Sequence, residues 1–466
     1  MIAKVSCMKY TSCGSLKTSF FIGLLALLIT QSTHAEKINV TKHHKTPVVL
    51  ISIDGLRPVD WRNASATELP TLTQLRDKGY FAEGVVGVTP TVTYPSHVTL
   101  ITGQSPAVHG VFSNTSFDPM SINQVGWYWY ASDIETPTLF GAAKKAGLKT
   151  ANVHWPVTVD ENIDFSLPQI WRTGHEDDRK LLKALSTPGL QSALEKKLNL
   201  VYAQGIKEDL EDDLNRAKFA QALLEMKRPD FSTIYLTALD HNQHIFGPGT
   251  KEAKDVLKTL DTTLGEIIQT ARQVNPQTVI FVVSDHGFAQ VNYEVNLIGA
   301  FVQNGLIQYD AVNKKVTGWT ATPWYSGGSA AIMMKDPSDK VTYDKVKAVL
   351  EQLRSSPELG IAAVYEKASI RQMGANPLAQ FWVDFKLGFV MGTDPSAPLV
   401  SPSKSKGMHG YSPSNPEMHA TLIVSKPNKN SSTNLGTVDM RDIAPTIAHV
   451  LGVQLKNTEG KVLKIN

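Results

Sequence analysis

Cysteine is nearly absent from this 466-residue chain. There are two, Cys7 and Cys13, both near the start. Past them no disulfide and no thiolate ligand is available, so any metal must be held by histidine and carboxylate. A charge excess is missing too. Lys and Arg number 46 against 43 Asp and Glu, and the surplus, Lys4, Lys9 and Lys17, falls within residues 1–35, which carry no acid. The rest is balanced, so electrostatics give no reason to expect DNA, RNA or an acidic membrane as partner. Beyond residue 29 no apolar run is long enough to cross a bilayer, and there is no internal repeat or low-complexity linker. A composition 42% hydrophobic and 19% charged excludes a disordered or fibrous chain.

What is present begins with a leader. Three lysines precede the apolar run Phe20–Ile29, and a polar stretch then ends at Thr33-His34-Ala35, with small residues where a signal peptidase reads. This order predicts a cleaved signal peptide over 1–35, its apolar part too short for a comfortable membrane span. No cysteine follows the run to take a lipid anchor. The expectation is a periplasmic or secreted protein with no stable membrane anchor.

Residues 36–466 read as one catalytic domain. Short apolar runs at Val48–Ile53, Thr233–Leu239, Val279–Ser284 and Ala420–Val424 are expected to be strands buried on both faces. Amphipathic stretches at Leu69–Lys78, Thr138–Ala146, Leu214–Met226 and Lys251–Arg272 separate them. The alternation predicts an α/β sandwich around a mostly parallel sheet. Residues 290–405, less regular and richer in Gly, Pro and Trp, are read as a lid or subdomain.

Acids stand at the ends of three of these runs: Asp54, Asp240 and Asp285. In open α/β sheets ligands gather at the carboxyl ends of strands. Asp240 and His244 are four apart, so one helical turn puts them on one face. Asp285 and His286 are adjacent and converge only if the strand ends in a turn, which Gly287 favours. His409 lies in a loop between Gly407 and Gly410. With Asp54 these residues can supply two sites of N and O ligands, suited to Zn²⁺ and less well to Mn²⁺. A hydroxyl nucleophile is offered by Thr93 or Ser96 within Thr91-Val92-Thr93-Tyr94-Pro95-Ser96-His97. Metal coordination would activate either one, and spacing alone does not choose between them.

Taken in order, Leu50-Ile51-Ser52-Ile53-Asp54-Gly55, Thr93-Tyr94-Pro95-Ser96-His97, His109-Gly110-Val111-Phe112-Ser113-Asn114, Trp155-Pro156, Asp240 with His244, Ser284-Asp285-His286-Gly287 and Gly407-Met408-His409-Gly410 form one pattern. The chain resembles the nucleotide pyrophosphatase/phosphodiesterase family of the alkaline phosphatase superfamily, from about residue 47 to 455. That resemblance implies an alkaline phosphatase-like three-layer α/β sandwich and two zinc ions. Asp54, Thr93, Asp285 and His286 would hold one ion, and Asp240, His244 and His409 the other. Thr93 would be the nucleophile of a phospho-threonine mechanism. Asn114 and the Thr93 N–H would bind a phosphate oxygen, and Tyr94 matches an aromatic position that stacks on a nucleotide base.

One position departs from the family: Ser96 stands where it usually has Asn. A sulfatase is disfavoured, since that relative needs Cys or Ser at position 93. His97, His109, His241 and His419 are read as structural. The expected substrate is a small phosphodiester or nucleotide. The alternatives are a phosphate monoesterase or phosphonate hydrolase on the same scaffold, and a non-catalytic zinc-binding protein. With no basic residue beside Thr93 to meet a dianionic phosphate, the diester is preferred.

Overall fold

The strand Val48–Ile53 (β1) is buried along its whole length because it lies in the middle of the main sheet. The computed structural model describes residues 46–122, 126–170, 177–202 and 208–465. The expected signal peptide lies outside them. The other strands of this sheet are Tyr80–Phe81 (β2), Thr150–Val153 (β3), Phe165–Leu167 (β4), Phe231–Leu236 (β5), Val279–Val283 (β6), Leu422–Ser425 (β7) and Thr433–Asn434 (β8). Among the described residues their order is β8-β2-β7-β6-β1-β5-β3-β4. β1 pairs in parallel with β5 (Val48 beside Phe231) and with β6 (Val48 beside Val279). β3 and β4 continue in parallel, and β7 runs antiparallel to β6.

Helices that pack on this sheet or carry site residues include Pro70–Asp77 (α1), Thr93–Thr102 (α2), Leu139–Lys145 (α3), Leu210–Lys227 (α4), Ala238–Phe246 (α5), Lys251–Val274 (α6) and Ile443–Leu451 (α7). Alternation along β1 decides which of them it meets. Val49, Ile51 and Ile53 pack on the face that carries α1, α4 and α6. Val48 and Leu50 pack on the face that carries α3 and α7. The result is the three-layer α/β sandwich that the sequence predicts. α6 shows why such a segment becomes a helix. Thr250 caps it by accepting from the Ala253 N–H, and Leu257, Leu260, Leu264 and Ile267 recur on the buried face. Truncating a buried residue such as Leu50 to alanine would cost about 2–5 kcal/mol.

Three strands differ from their sequence-based spans, β6 only by ending at Val283 rather than Ser284. The run expected over Thr233–Leu239 stops at Leu236, and α5 starts at Ala238. The run expected from Ala420 joins the ladder only at Leu422, since the Thr421 N–H donates to Ser284 Oγ.

Residues 289–411 are more regular than their composition suggests. Ala321–Tyr325, Ser329–Met334, Phe381–Phe385 and Ile361–Glu366 pair antiparallel, in that order. They share a core with Val291, Val295, Met408 and Tyr411. The turn between the first two of these strands braces the loop of His409: the Gly328 N–H donates to the His409 carbonyl at 2.9 Å.

Candidate active site

Thr93 is the first residue of α2, not part of a loop. Val92 precedes it in extended conformation, and Pro95 falls in the first turn, where its missing N–H costs no helical hydrogen bond. At this end Pro95 has no N–H and the Ser96 N–H donates to the Val92 carbonyl at 3.2 Å, which leaves the Thr93 N–H as the group placed to meet an anion. Asn114 reaches the same end. Its Oδ1 accepts the Tyr94 N–H at 2.9 Å, which commits the amide's acceptor and leaves its NH₂ for another partner.

Asp54 follows β1, Asp285 follows β6, and Asp240 is the third residue of α5. All three are buried. Burial, reinforced by the neighbouring Asp285 and Asp240, raises the Asp54 carboxyl well above its ordinary range. Burial likewise pushes Asp285 up to about 7. Burial opposes ionisation of Asp240 as well, yet His244 and His409 hold it below the usual carboxylate range. Burial works against charge on His244, but Asp240 raises it. His286 is lowered well below the ordinary value by burial and by His409. Burial brings His409 to about 4.

The three histidines share a tautomer. Nδ1 of His244, His286 and His409 lies 3.0, 3.0 and 3.1 Å from the carbonyls of Gly407, Gly287 and Thr91. A carbonyl only accepts, so each Nδ1 carries the proton and each Nε2 presents its lone pair to the carboxylates. Gly287 permits this crowding, since a Cβ there would fall 1.9 Å from the Glu417 carbonyl oxygen.

For His286 and His409, which burial keeps neutral, acceptors therefore face acceptors. His286 Nε2 lies 3.4 Å from Asp54 Oδ1 and 3.1 Å from Asp285 Oδ2, and 3.4 Å from Thr93 Oγ1. His244 Nε2 is 3.3 Å from Asp240 Oδ2, and His409 Nε2 is 3.8 Å from Asp240 Oδ1. Asp54 Oδ1, Asp240 Oδ1 and Asp285 Oδ2 are buried with no hydrogen-bond partner among the described residues. Two atoms each about 2.0–2.1 Å from one tetrahedral ion lie about 3.3 Å apart. The donor set and its orphaned oxygens thus fit metal ions. Ligand atoms of Asp240, His244 and His409 lie within 4.8 Å of one another, as do those of Asp54, Asp240 and His286. All seven ligands expected from the sequence meet in this cluster, with Asp240 reaching both halves.

The family model described as type I phosphodiesterase/nucleotide pyrophosphatase matches residues 48–412. The chain belongs to this family. Venom phosphodiesterase of Naja atra is 27% identical over 256 residues, 53% of this chain and 27% of the relative. Human ectonucleotide pyrophosphatase/phosphodiesterase family member 1 is 24% identical over 257 residues, 52% and 24% of the two chains. The chain thus spans about a quarter of the length of these curated relatives. Among solved structures, human ectonucleotide pyrophosphatase/phosphodiesterase 5 is similar with a TM-score of 0.63 at 20% identity, over 89% of this chain and 97% of that one. The murine protein of the same name, as an inactive variant in complex with AMP, matches equally well.

Within this phosphodiesterase family member, several supporting residues carry no sequence signal of their own. The Tyr235 hydroxyl donates to Asp54 Oδ2, the Gly55 N–H to Asp285 Oδ1 at 3.2 Å, and Gln243 Nε2 to the Gly55 carbonyl at 3.0 Å. His97 is fully buried between the Thr93 carbonyl and Ser52 Oγ, and burial lowers it to about 3. His109 is buried against Thr99 Oγ1. His241 is half-exposed, 3.8 Å from Glu208, and His419 packs under Gly84. Ser96 is buried and its hydroxyl has no hydrogen-bond partner. Tyr94 is 1% exposed, its ring centroid 5.3 Å from that of the less buried Trp127.

Proposed function

We propose that this chain is a two-zinc phosphodiesterase or nucleotide pyrophosphatase that works through a phospho-threonine intermediate at Thr93. The observation that carries the reading is the placement of Thr93 Oγ1 at a helix N-terminus, 3.4 Å from the lone-pair nitrogen of His286. Asp54, Thr93, Asp285 and His286 would hold one zinc, and Asp240, His244 and His409 the second. Bound zinc supplies Lewis acidity for the hydroxyl, the leaving oxygen and the water. Thr93 Oγ1 attacks phosphorus in line, the bond to the leaving oxygen breaks, and that oxygen takes up a proton. Water then attacks from the vacated side, the bond from phosphorus to Thr93 breaks, and the threonine regains its proton. The Asn114 NH₂ and the Thr93 N–H donate to a non-bridging oxygen as charge develops there.

A nucleotide is the favoured substrate, supported by the family and by the relative in complex with AMP. Tyr94, expected from the sequence to stack on the base, is too buried to do so itself and instead backs Trp127, whose more accessible ring is the proposed surface for the base. Export from the cytoplasm belongs to the same proposal, supported by the leader and by relatives named ectoenzymes. Among the described residues no helix is long and apolar enough to cross a membrane.

The test compares bis-p-nitrophenyl phosphate, p-nitrophenyl phosphate and a nucleotide p-nitrophenyl ester, each with and without chelator. Faster diester turnover that chelator abolishes is expected. Faster monoester turnover would replace the diesterase with a monoesterase, and full activity without metal would sink the mechanism.

A further inference from the structure

α5 carries both Asp240 and His244, yet it lacks a local cap. Thr237, the residue before it, makes no capping hydrogen bond with its side chain. The cap comes from another helix. Asp213 of α4 accepts the Thr237 N–H at 3.0 and 2.8 Å through its two oxygens, and the Ala238 N–H at 2.7 Å through Oδ2. Arg216, one turn further along α4, donates from Nη1 to Asp213 Oδ1 at 2.7 Å and to Thr237 Oγ1 at 3.1 Å. Both side chains are fully buried.

We propose that Asp213, held by Arg216, is a positioning residue for the second metal site. It fixes where α5 begins and how it is rotated, and so where Asp240 and His244 stand relative to His409. His409 arrives on a separate loop, so the site closes only if α5 keeps its angle about its own axis. A carboxylate gripping two successive N–H groups fixes that angle, as a single hydrogen bond would not. The early start of α5, at Ala238 rather than after Leu239, has the same cause. Burial works against a charge on Asp213, and the paired Arg216 offsets that penalty.

The molecule contains a matched control. Asp261 of α6, also buried, accepts the Thr71 and Leu72 N–H groups at 2.9 and 2.7 Å and so caps α1. The capping chemistry is the same, but α1 carries no ligand.

The inference rests on the two-zinc reading, and chelator competition on the zinc-loaded chain separates the two. Wild type should yield two equivalents of zinc. In Asp213→Asn, one equivalent should bind roughly 10–100-fold more weakly, the scale for lost support behind metal ligands, with the other unchanged. Asp261→Asn should leave both affinities at wild type, even if it lowers Tm. Because Asp213→Asn takes from Arg216 its shorter carboxylate contact and leaves Asp212 at 3.9 Å, Asp213→Asn with Arg216→Met removes both members of the pair together and should show the same selective loss in a folded chain. Wild-type affinities in both Asp213 variants would overturn the proposal, as would an equal weakening in Asp261→Asn. A wild-type chain that binds no zinc would overturn the metal reading and this inference with it.

Discussion

The two halves of the candidate metal cluster use the same residue types but are built differently. The half around Thr93 grows from strand ends: Asp54 follows β1, Asp285 and His286 follow β6, and its histidine and Asp285 are fully buried. Without an ion, burial first and the neighbouring acids second drive its carboxylates toward the protonated form. The half around Asp240 grows from a helix and a loop, and its His244 side chain is 26% exposed. There Asp240 and His244 already stabilise each other's charged forms. The strand-end half is therefore the one in which a cation would relieve the greater penalty. The helix-borne half is more open and depends on supports that orient it.

The sharpest way to break this comparison is to remove the nucleophile. Thr93→Ala should cost roughly 10⁴–10⁶-fold in kcat, the range seen when a covalent catalyst loses its attacking group. Near-normal turnover would place the chemistry elsewhere. Asn114→Ala should cost about 10²–10³-fold in kcat, with zinc content unchanged by elemental analysis. A loss of zinc instead would make Asn114 a structural support. Tyr235→Phe removes a hydrogen bond to Asp54 and should weaken zinc at the strand-end half by roughly 10–100-fold, sparing the other half. Equal weakening of both would erase the distinction between them.

The smallest effect is one of pH. A carboxyl raised by folding adds stability below its ordinary pKa and loses it as pH rises through the folded value. Asp285 should therefore make the metal-free chain lose a few degrees of Tm between about pH 4 and about pH 7. The zinc-loaded chain and metal-free Asp285→Asn should lack this component. Identical pH profiles for all three would show that burial does not raise the Asp285 carboxyl in the metal-free chain.

How much of this was legible in the sequence follows from the range of the interactions. Asp54, Asp240 and Asp285 announced themselves by standing at the ends of apolar runs, and His244 by one-turn spacing. The helical start at Thr93 was hidden by Pro95, which reads as a loop signal although the first turn tolerates it. Tyr235, Asp213 and Gln243 gave no local signal, because each acts on a residue far away in the chain or on an element whose start it helps to set. The strands of 289–411 were obscured by glycines and tryptophans that belong to tight contacts. Gly410, for instance, sits where a Cβ would fall 1.9 Å from the Ser326 carbonyl oxygen.

The central claim is a double displacement at Thr93, and stereochemistry at phosphorus tests it most directly. A phosphorothioate diester of one configuration would be hydrolysed in ¹⁸O-labelled water and the chirality of the product determined. Attack by Thr93 followed by attack of water inverts phosphorus twice, so net retention is expected. Net inversion would mean that water attacks the substrate directly, and Thr93 would then be a ligand only.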